Sequence, residues 1–143
     1  MKIAMGADHG GVHLKDELAE QLRAAGHEVV DCGTNGTDSV DYPDFAHQVA
    51  QRVASEQVDR GILVCGTGQG MAMAANKVPG VRAGVVSDTF SARMIAEHND
   101  ARILCLGARV VGPSLASEIV QSYLGASFEG GRHARRVGKI TPS

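Results

Sequence analysis

One stretch of the chain holds residue types at a spacing that chemistry can use: Gly61-Ile62-Leu63-Val64-Cys65-Gly66-Thr67-Gly68-Gln69-Gly70-Met71. An apolar run ends on a thiol, and three glycines follow at every second position. A helix-forming run comes next. This order places Cys65 at the C-terminal end of a buried strand, beside backbone N–H groups that no side chain shields. A helix N-terminus stands directly behind it. Such surroundings hold an anion and favour the thiolate form of a cysteine. The segment therefore reads as a reactive thiol next to an anion loop, with a buried structural cysteine as the alternative. Cys32 and Cys105 lack the following helix or sit inside an apolar strand, and the structural reading suits them better.

Three other readings of the glycine loop can be weighed. A P-loop needs Gly-Lys-Ser/Thr, but Met71 follows Gly70. A cysteine phosphatase loop needs an arginine six residues after the cysteine, and that position is again Met71. A dinucleotide fingerprint is closer, with Gly66, Gly68 and the acidic Asp88 further on. Its third glycine is displaced by one position to Gly70, and the motif normally follows the first strand. It stays a minor alternative.

Other candidates lie elsewhere. Asp8 and His9 close the first apolar run and precede Gly10-Gly11. A carboxylate and an imidazole at a strand end can hold sugar hydroxyls or a phosphate. His9 and His13 are spaced for a metal pair on a helix, but no acidic third ligand is near, so no metal is expected. Arg109, Arg132, Arg135 and Arg136 carry guanidinium forks of the kind that grip phosphate at two points. Read alone, the tail arginines also suit a solvated basic tail. His98-Asn99-Asp100 likewise suits a polar helix end. If His98 is catalytic, it is expected to serve the site of a neighbouring subunit.

The elements that position these residues follow from hydrophobic patterning. Strands are expected at Lys2–Met5, Glu28–Cys32, Gly61–Cys65, Arg82–Ser87 and Arg102–Leu106. Helices are expected from about Gly11 to Ala25, where Leu14, Leu18 and Leu22 recur every four residues, and from Pro43 along Phe45, Val49 and Val53. Further helices are expected over Gly68–Asn76, Ser91–Glu97 and Pro113–Leu124. The tail Gly125–Ser143 shows helical potential near Ala134–Val137. Regular strand–helix alternation implies a three-layer α/β/α sandwich around a five-stranded parallel sheet, in one domain spanning 1–143. Ligands of such sheets bind beyond the carboxyl ends of the strands. Asp8, His9, Cys32, Cys65, Thr67 and Ser87 should then face one rim, and His98 the opposite one.

Composition narrows the function classes. A formal net charge of −2 and 3% aromatic residues give no basic field and no stacking platform for nucleic acid. No apolar stretch approaches the roughly 18 residues of a membrane span. Three cysteines and no secretory signal suit reduced thiols in a cytoplasmic protein.

Taken in order, several motifs resemble the type B ribose-5-phosphate isomerases and the related galactose-6-phosphate isomerase subunits. They are Gly6-Ala7-Asp8-His9-Gly10-Gly11, Asp41-Tyr42-Pro43, Cys65-Gly66-Thr67-Gly68-Gln69-Gly70, Ala74-Ala75-Asn76-Lys77, Arg82-Ala83, His98-Asn99-Asp100, Gly107-Ala108-Arg109 and Glu129-Gly130-Gly131-Arg132-His133. The set spans essentially the whole chain. The resemblance implies a Rossmann-like fold, a homodimer or tetramer with sites shared between subunits, and a cofactor-free and metal-free aldose–ketose isomerisation through a cis-enediolate. It implies that Cys65 is the base moving a proton between C2 and C1. Thr67 and the amides of Gly66, Gly68, Gln69 and Gly70 form the anion hole. Asp8, His9, Tyr42 and Asn99 contact the sugar, His98 opens its ring, and Arg109, Arg132 and Arg136 hold the phosphate. The expected substrate pair is ribose 5-phosphate and ribulose 5-phosphate. Another sugar phosphate (allose, galactose or a tetrose) and a non-catalytic sugar-phosphate or nucleotide binder are the alternatives.

Overall fold

Five apolar runs become strands in the computed structural model, which describes residues 1–140. They are β1 (Lys2–Ala7), β2 (Glu28–Asp31), β3 (Arg60–Cys65), β4 (Ala83–Val85) and β5 (Ile103–Gly107). Six helices complete the fold: α1 (Val12–Ala24), α2 (Tyr42–Ala54), α3 (Gln69–Ala75), α4 (Thr89–Glu97), α5 (Pro113–Leu124) and α6 (Arg132–Ile140). The sheet runs in the order β2-β1-β3-β5-β4, and every pair is parallel. β1, β3 and β5 are its inner strands and carry apolar side chains on both faces, as a doubly covered parallel sheet requires.

Each face has its own core. Ile3, Met5, Ile62, Leu104 and Leu106 pack against Leu14, Leu18 and Leu22 of α1, Ala92 of α4, and Ile119 and Tyr123 of α5. Ala4, Leu63, Ile103 and Cys105 pack against Val49 and Val53 of α2 and Met71 and Ala75 of α3. The expected α/β/α sandwich is thus realised, and its topology adds a detail. β1 leads outward to β2, the chain then returns past β1 to β3, and the strand order reverses between them. That reversal opens a crevice beyond the carboxyl ends of β1 and β3.

Most bounds shift by one or two residues, and two elements differ more. β4 is shorter than Arg82–Ser87. At its start the Arg82 guanidinium turns away to the backbone of Asn99 and Asp100, and at its end Asp88 is drawn into the cap of α4. The tail forms a full helix where only Ala134–Val137 showed local tendency. Burial of His133 docks that helix on the body of the protein, which local propensity cannot show. Residues 141–143 of the expected domain lie outside the described residues.

A buried cation sits under the β2 edge. Lys15 is fully buried on the inward stripe of α1, and its ammonium donates to both Asp31 oxygens at 2.8 Å and to Asn35 Oδ1 at 3.2 Å. Asp31 also accepts the Gly33 N–H at 2.8 Å. This polar knot ties α1 to the end of β2 and to the loop leading to Tyr42.

Candidate active site

Cys65 is the last residue of β3 and is only 5% exposed. Its Sγ accepts the Gly68 N–H at 3.1 Å. Gly68 caps α3 with φ +83°, a conformation that costs a side-chain-bearing residue strain. The glycine therefore lets the chain fold back so that its own amide meets the sulfur. An N–H aimed at sulfur stabilises negative charge there. Thr67 Oγ1 accepts the Gln69 N–H at 3.2 Å, which leaves its hydroxyl hydrogen free to donate outward. Of the loop amides, those of Gly68 and Gln69 are thus already engaged.

The loop is held close to β5. Gly107 pairs with Cys65 in register, and a Cβ on Gly107 would stand 2.8 Å from the Thr67 backbone. Ala108 N–H donates to Cys65 O at 2.8 Å and Arg109 N–H to Gly66 O at 3.0 Å. The Arg109 side chain consequently lies over Gly66, where an added Cβ would meet its Cδ at 3.7 Å.

β1 delivers the second wall. Asp8 N–H donates to Val64 O at 3.3 Å, and Asp8 Oδ1 accepts the Gly10 N–H at 2.9 Å. A Cβ on Gly10 would lie 3.6 Å from Gly66 N, so the Asp8–Gly11 turn touches the Cys65 loop. His9 Nδ1 accepts the Val40 N–H at 3.2 Å, which puts the neutral ring's proton on Nε2. Tyr42 opens α2, and its ring lies against Gly70, where an added Cβ would collide with the ring edge. The structure therefore brings Asp8, His9, Tyr42, Cys65, Gly66, Thr67, Gly68, Gln69, Gly70 and Arg109 to one rim.

Cys32 and Ser87 follow the edge strands instead of the central pair. The half-buried Cys32 packs on the core, and its thiol is pushed up by burial. Cys105 is fully buried, and the same cause drives its thiol far above the usual range. Ser87 is exposed beyond β4.

The other candidates gather at the opposite rim. His98 caps the C-terminus of α4, and Asn99 follows it. The His98 ring stacks on His133 of α6 at 4.1 Å between centroids and 8° between planes. Arg132 and Arg136 are exposed on α6, one turn apart. The length of β5 separates this group from the Cys65 level, about 13 Å at roughly 3.3 Å per residue. One chain does not bring His98, Asn99, Arg132 and Arg136 to Cys65.

Several supporting residues are not singled out by sequence reasoning. Arg82 donates to Asn99 O at 3.0 Å and to Asp100 Oδ2 at 2.9 Å, shaping the turn after His98. Asn76 exchanges two hydrogen bonds with the Ala83 backbone and pins α3 to the edge strand. The side chains of Glu129 and His133 face His98. Their motifs were visible, but their partners are distant in sequence. Asp88, the acid the dinucleotide alternative requires, is occupied as the α4 cap. It accepts from the Ser91 N–H and hydroxyl, and those bonds hold its carboxyl below the usual range.

Comparison with known proteins shows what this arrangement is similar to. The family model described as Ribose/Galactose Isomerase matches residues 3–140. The putative sugar phosphate isomerase YwlF of Bacillus subtilis is 52% identical over 142 residues, 99% of this chain and 95% of the relative. Ribose-5-phosphate isomerase B of Escherichia coli is 51% identical, covering 98% of this chain and 94% of the relative. D-erythrulose-4-phosphate isomerase of Pectobacterium atrosepticum is 43% identical, covering 98% and 93%. Among solved structures, ribose-5-phosphate isomerase B of Clostridium thermocellum superposes with a TM-score of 0.97 at 59% identity, covering 98% of this chain and 95% of that one. The Mycoplasma genitalium enzyme of the same name, solved with bound ribulose-5-phosphate, gives 0.94 at 46% identity, covering 97% and 93%.

Proposed function

The chain belongs to the ribose/galactose isomerase family, and from that premise we propose that it interconverts D-ribose 5-phosphate and D-ribulose 5-phosphate with Cys65 as the base. It is a sugar-phosphate aldose–ketose isomerase. The observation that supports the choice of base is the 3.1 Å contact from the Gly68 N–H to Cys65 Sγ at the sheet's crevice.

The chemistry follows from the surroundings of that sulfur. The Cys65 thiolate takes the C2 proton of the open-chain aldose, and the electrons of that bond form the C1–C2 double bond. O1 becomes the oxyanion of a cis-enediolate. The thiol then returns its proton to C1, the hydroxyl proton passes from O2 to O1, and C2 becomes the ketose carbonyl. No oxidant or reductant enters. The amides of Gly66, Thr67 and Gly70 and the Thr67 hydroxyl stabilise the developing charge, at about 3–4 kcal/mol per well-placed donor. Asp8, His9 through Nε2–H, and Tyr42 hold the hydroxyls. Arg109 reaches the phosphate from the same rim.

His98, Asn99, Arg132 and Arg136 complete the site from a second copy of the chain. The distance between the two rims supports this division, since proton transfer needs approach to about 3 Å. In this reading His98 opens the furanose ring and the two α6 arginines grip the phosphate dianion.

The relative that acts in its name on erythrulose 4-phosphate keeps a tetrose phosphate as the second reading. A panel of phosphorylated aldoses ranked by kcat/KM decides between them. Ribose 5-phosphate is expected to lead, and a tetrose or hexose phosphate in first place overturns the assignment. Mixing Cys65→Ala with His98→Ala protein should restore activity by subunit exchange. Proven exchange without recovery refutes the shared site.

A further inference from the structure

His98 is not isolated at its rim. The Glu129 N–H donates to Glu97 O at 2.9 Å and fastens the segment before α6 to the end of α4. Gly130 and Gly131, at φ 68° and 57°, then turn the chain so that His133 enters the first turn of α6. Its ring lies flat against that of His98, 4.1 Å away. The Glu129 carboxylate faces both, at 3.6 Å from His98 Nε2 and 3.8 Å from His133 Nε2. His133 is 7% exposed, and its Nε2 is buried without a hydrogen-bond partner among the described residues.

The trio places three ligand atoms within 4.8 Å of one another, but it is poorly shaped for a metal. An imidazole nitrogen ligates in the plane of its ring. Two stacked rings, 8° from parallel with centroids 4.1 Å apart, do not aim their in-plane lone pairs at one point where an ion could sit. What the arrangement does suit is control of one ring by the other two groups.

We infer that Glu129 and His133 are positioning residues for His98: the stack fixes the plane of the His98 ring, and the carboxylate supports the proton that ring carries. The inference rests on the reading of His98 as the ring-opening group. Opening a furanose requires a proton delivered to the ring oxygen as the C1–O4 bond breaks, and a proton removed from the C1 hydroxyl as the carbonyl forms. The proton count is unchanged, so one histidine that both gives and takes can serve. The groups facing His133 are His98, Arg132, Arg136 and Glu129. Burial first, then the charges of His98 and Arg132, hold the His133 ring below the ordinary histidine range, against the pull of Glu129. Of the two stacked rings, His133 is therefore the one disfavoured as a proton carrier, and its part is to hold the plane of His98.

The test uses Glu129→Gln and His133→Asn, each alone and each combined with His98→Ala, in the full-length protein. Steady-state kcat for ribose 5-phosphate is measured beside the Kd of 5-phospho-D-ribonate, an acyclic acid that needs no ring opening. Each single variant should lower kcat about tenfold, a fraction of what general acid–base catalysis supplies. The Kd should stay within about twofold, the scale of a small binding effect. In the His98→Ala background neither change should lower kcat further. Unchanged kcat in both single variants overturns the inference. So does an equal further loss without His98, or a loss of phosphoribonate affinity that parallels kcat. If His98→Ala itself retains full kcat, the ring-opening assignment has failed and the inference falls with it. If His98→Ala is crippled while Glu129→Gln and His133→Asn are not, only the inference has failed.

Discussion

Gly107→Ala tests whether the Cys65 loop depends on close packing against β5. The added Cβ would stand 2.8 Å from the Thr67 Cα, carbonyl carbon and oxygen, all of them backbone. Ordinary contact begins near 3.4 Å, so the loop must retreat by the difference, 0.6 Å. Gly107 is fully enclosed at the end of a central strand, and β5 has no room to yield instead. Overpacking of this kind costs about 1–3 kcal/mol of stability. The catalytic effect should be larger than that suggests, because the same shift moves Thr67 Oγ1 and the amides beside Cys65. A 1 Å misplacement of reacting groups costs about 100-fold, so a shift of this size should lower kcat/KM by roughly 10- to 100-fold. The assay is the rate of ketose phosphate formation, read beside a urea unfolding curve and the Kd of 5-phospho-D-ribonate. The expected pattern is a modest loss of stability, a large loss of kcat/KM and a nearly unchanged Kd. Wild-type kcat/KM in the alanine variant would refute the claim that Gly107 sets the loop's position.

Three further outcomes follow from the same structure. Lys15→Ala removes the buried cation that Asp31 and Asn35 hold, but the Asp31 carboxylate keeps part of its surface in water, so the cost should be about 1.5–3 kcal/mol, measured by urea unfolding. A loss under about 1 kcal/mol, the scale of a surface pair, would show that Asp31 finds another partner. His133 binds its proton more weakly folded than unfolded, so its contribution to stability is complete above the ordinary histidine value of about 6.5 and fades as pH falls through and below it. The Tm should therefore decline more steeply on acidification in the native protein than in His133→Asn, and parallel profiles contradict this. Gly138→Ala adds a methyl to open space on α6 and should raise stability by up to about 1 kcal/mol. Destabilisation would show that α6 has a contact at that position.

The crevice wall was legible because its cues are local. An apolar run ending on Cys65, with glycines behind it, fixes strand, turn and helix in one short stretch. Asp8 and His9 follow the first such run in the same way. The parallel topology then puts both strand ends at one rim. The opposite cluster was legible only as separate motifs. His98, Glu129 and His133 meet because the tail docks on α4, and no periodicity reports a tertiary contact between distant segments. Lys15 is hidden for the opposite reason. Residue type places a lysine in solvent, and its burial is made tolerable by the Asp31 carboxylate and Asn35 on other segments, with Asp16 beside it on α1. Tyr42 against Gly70 is likewise a packing fact, since α2 and α3 must cross before the ring and the glycine meet.

The proposed isomerisation turns on Cys65 as the group that removes the C2 proton. The most direct measurement is kcat of Cys65→Ala on ribose 5-phosphate, taken with the Kd of 5-phospho-D-ribonate for the same protein. With Cys65 as the base, kcat should fall about 10³-fold, within the range that a positioned base supplies, with the Kd little changed. Turnover close to that of the native protein, in a variant that binds the acyclic acid normally, would contradict it.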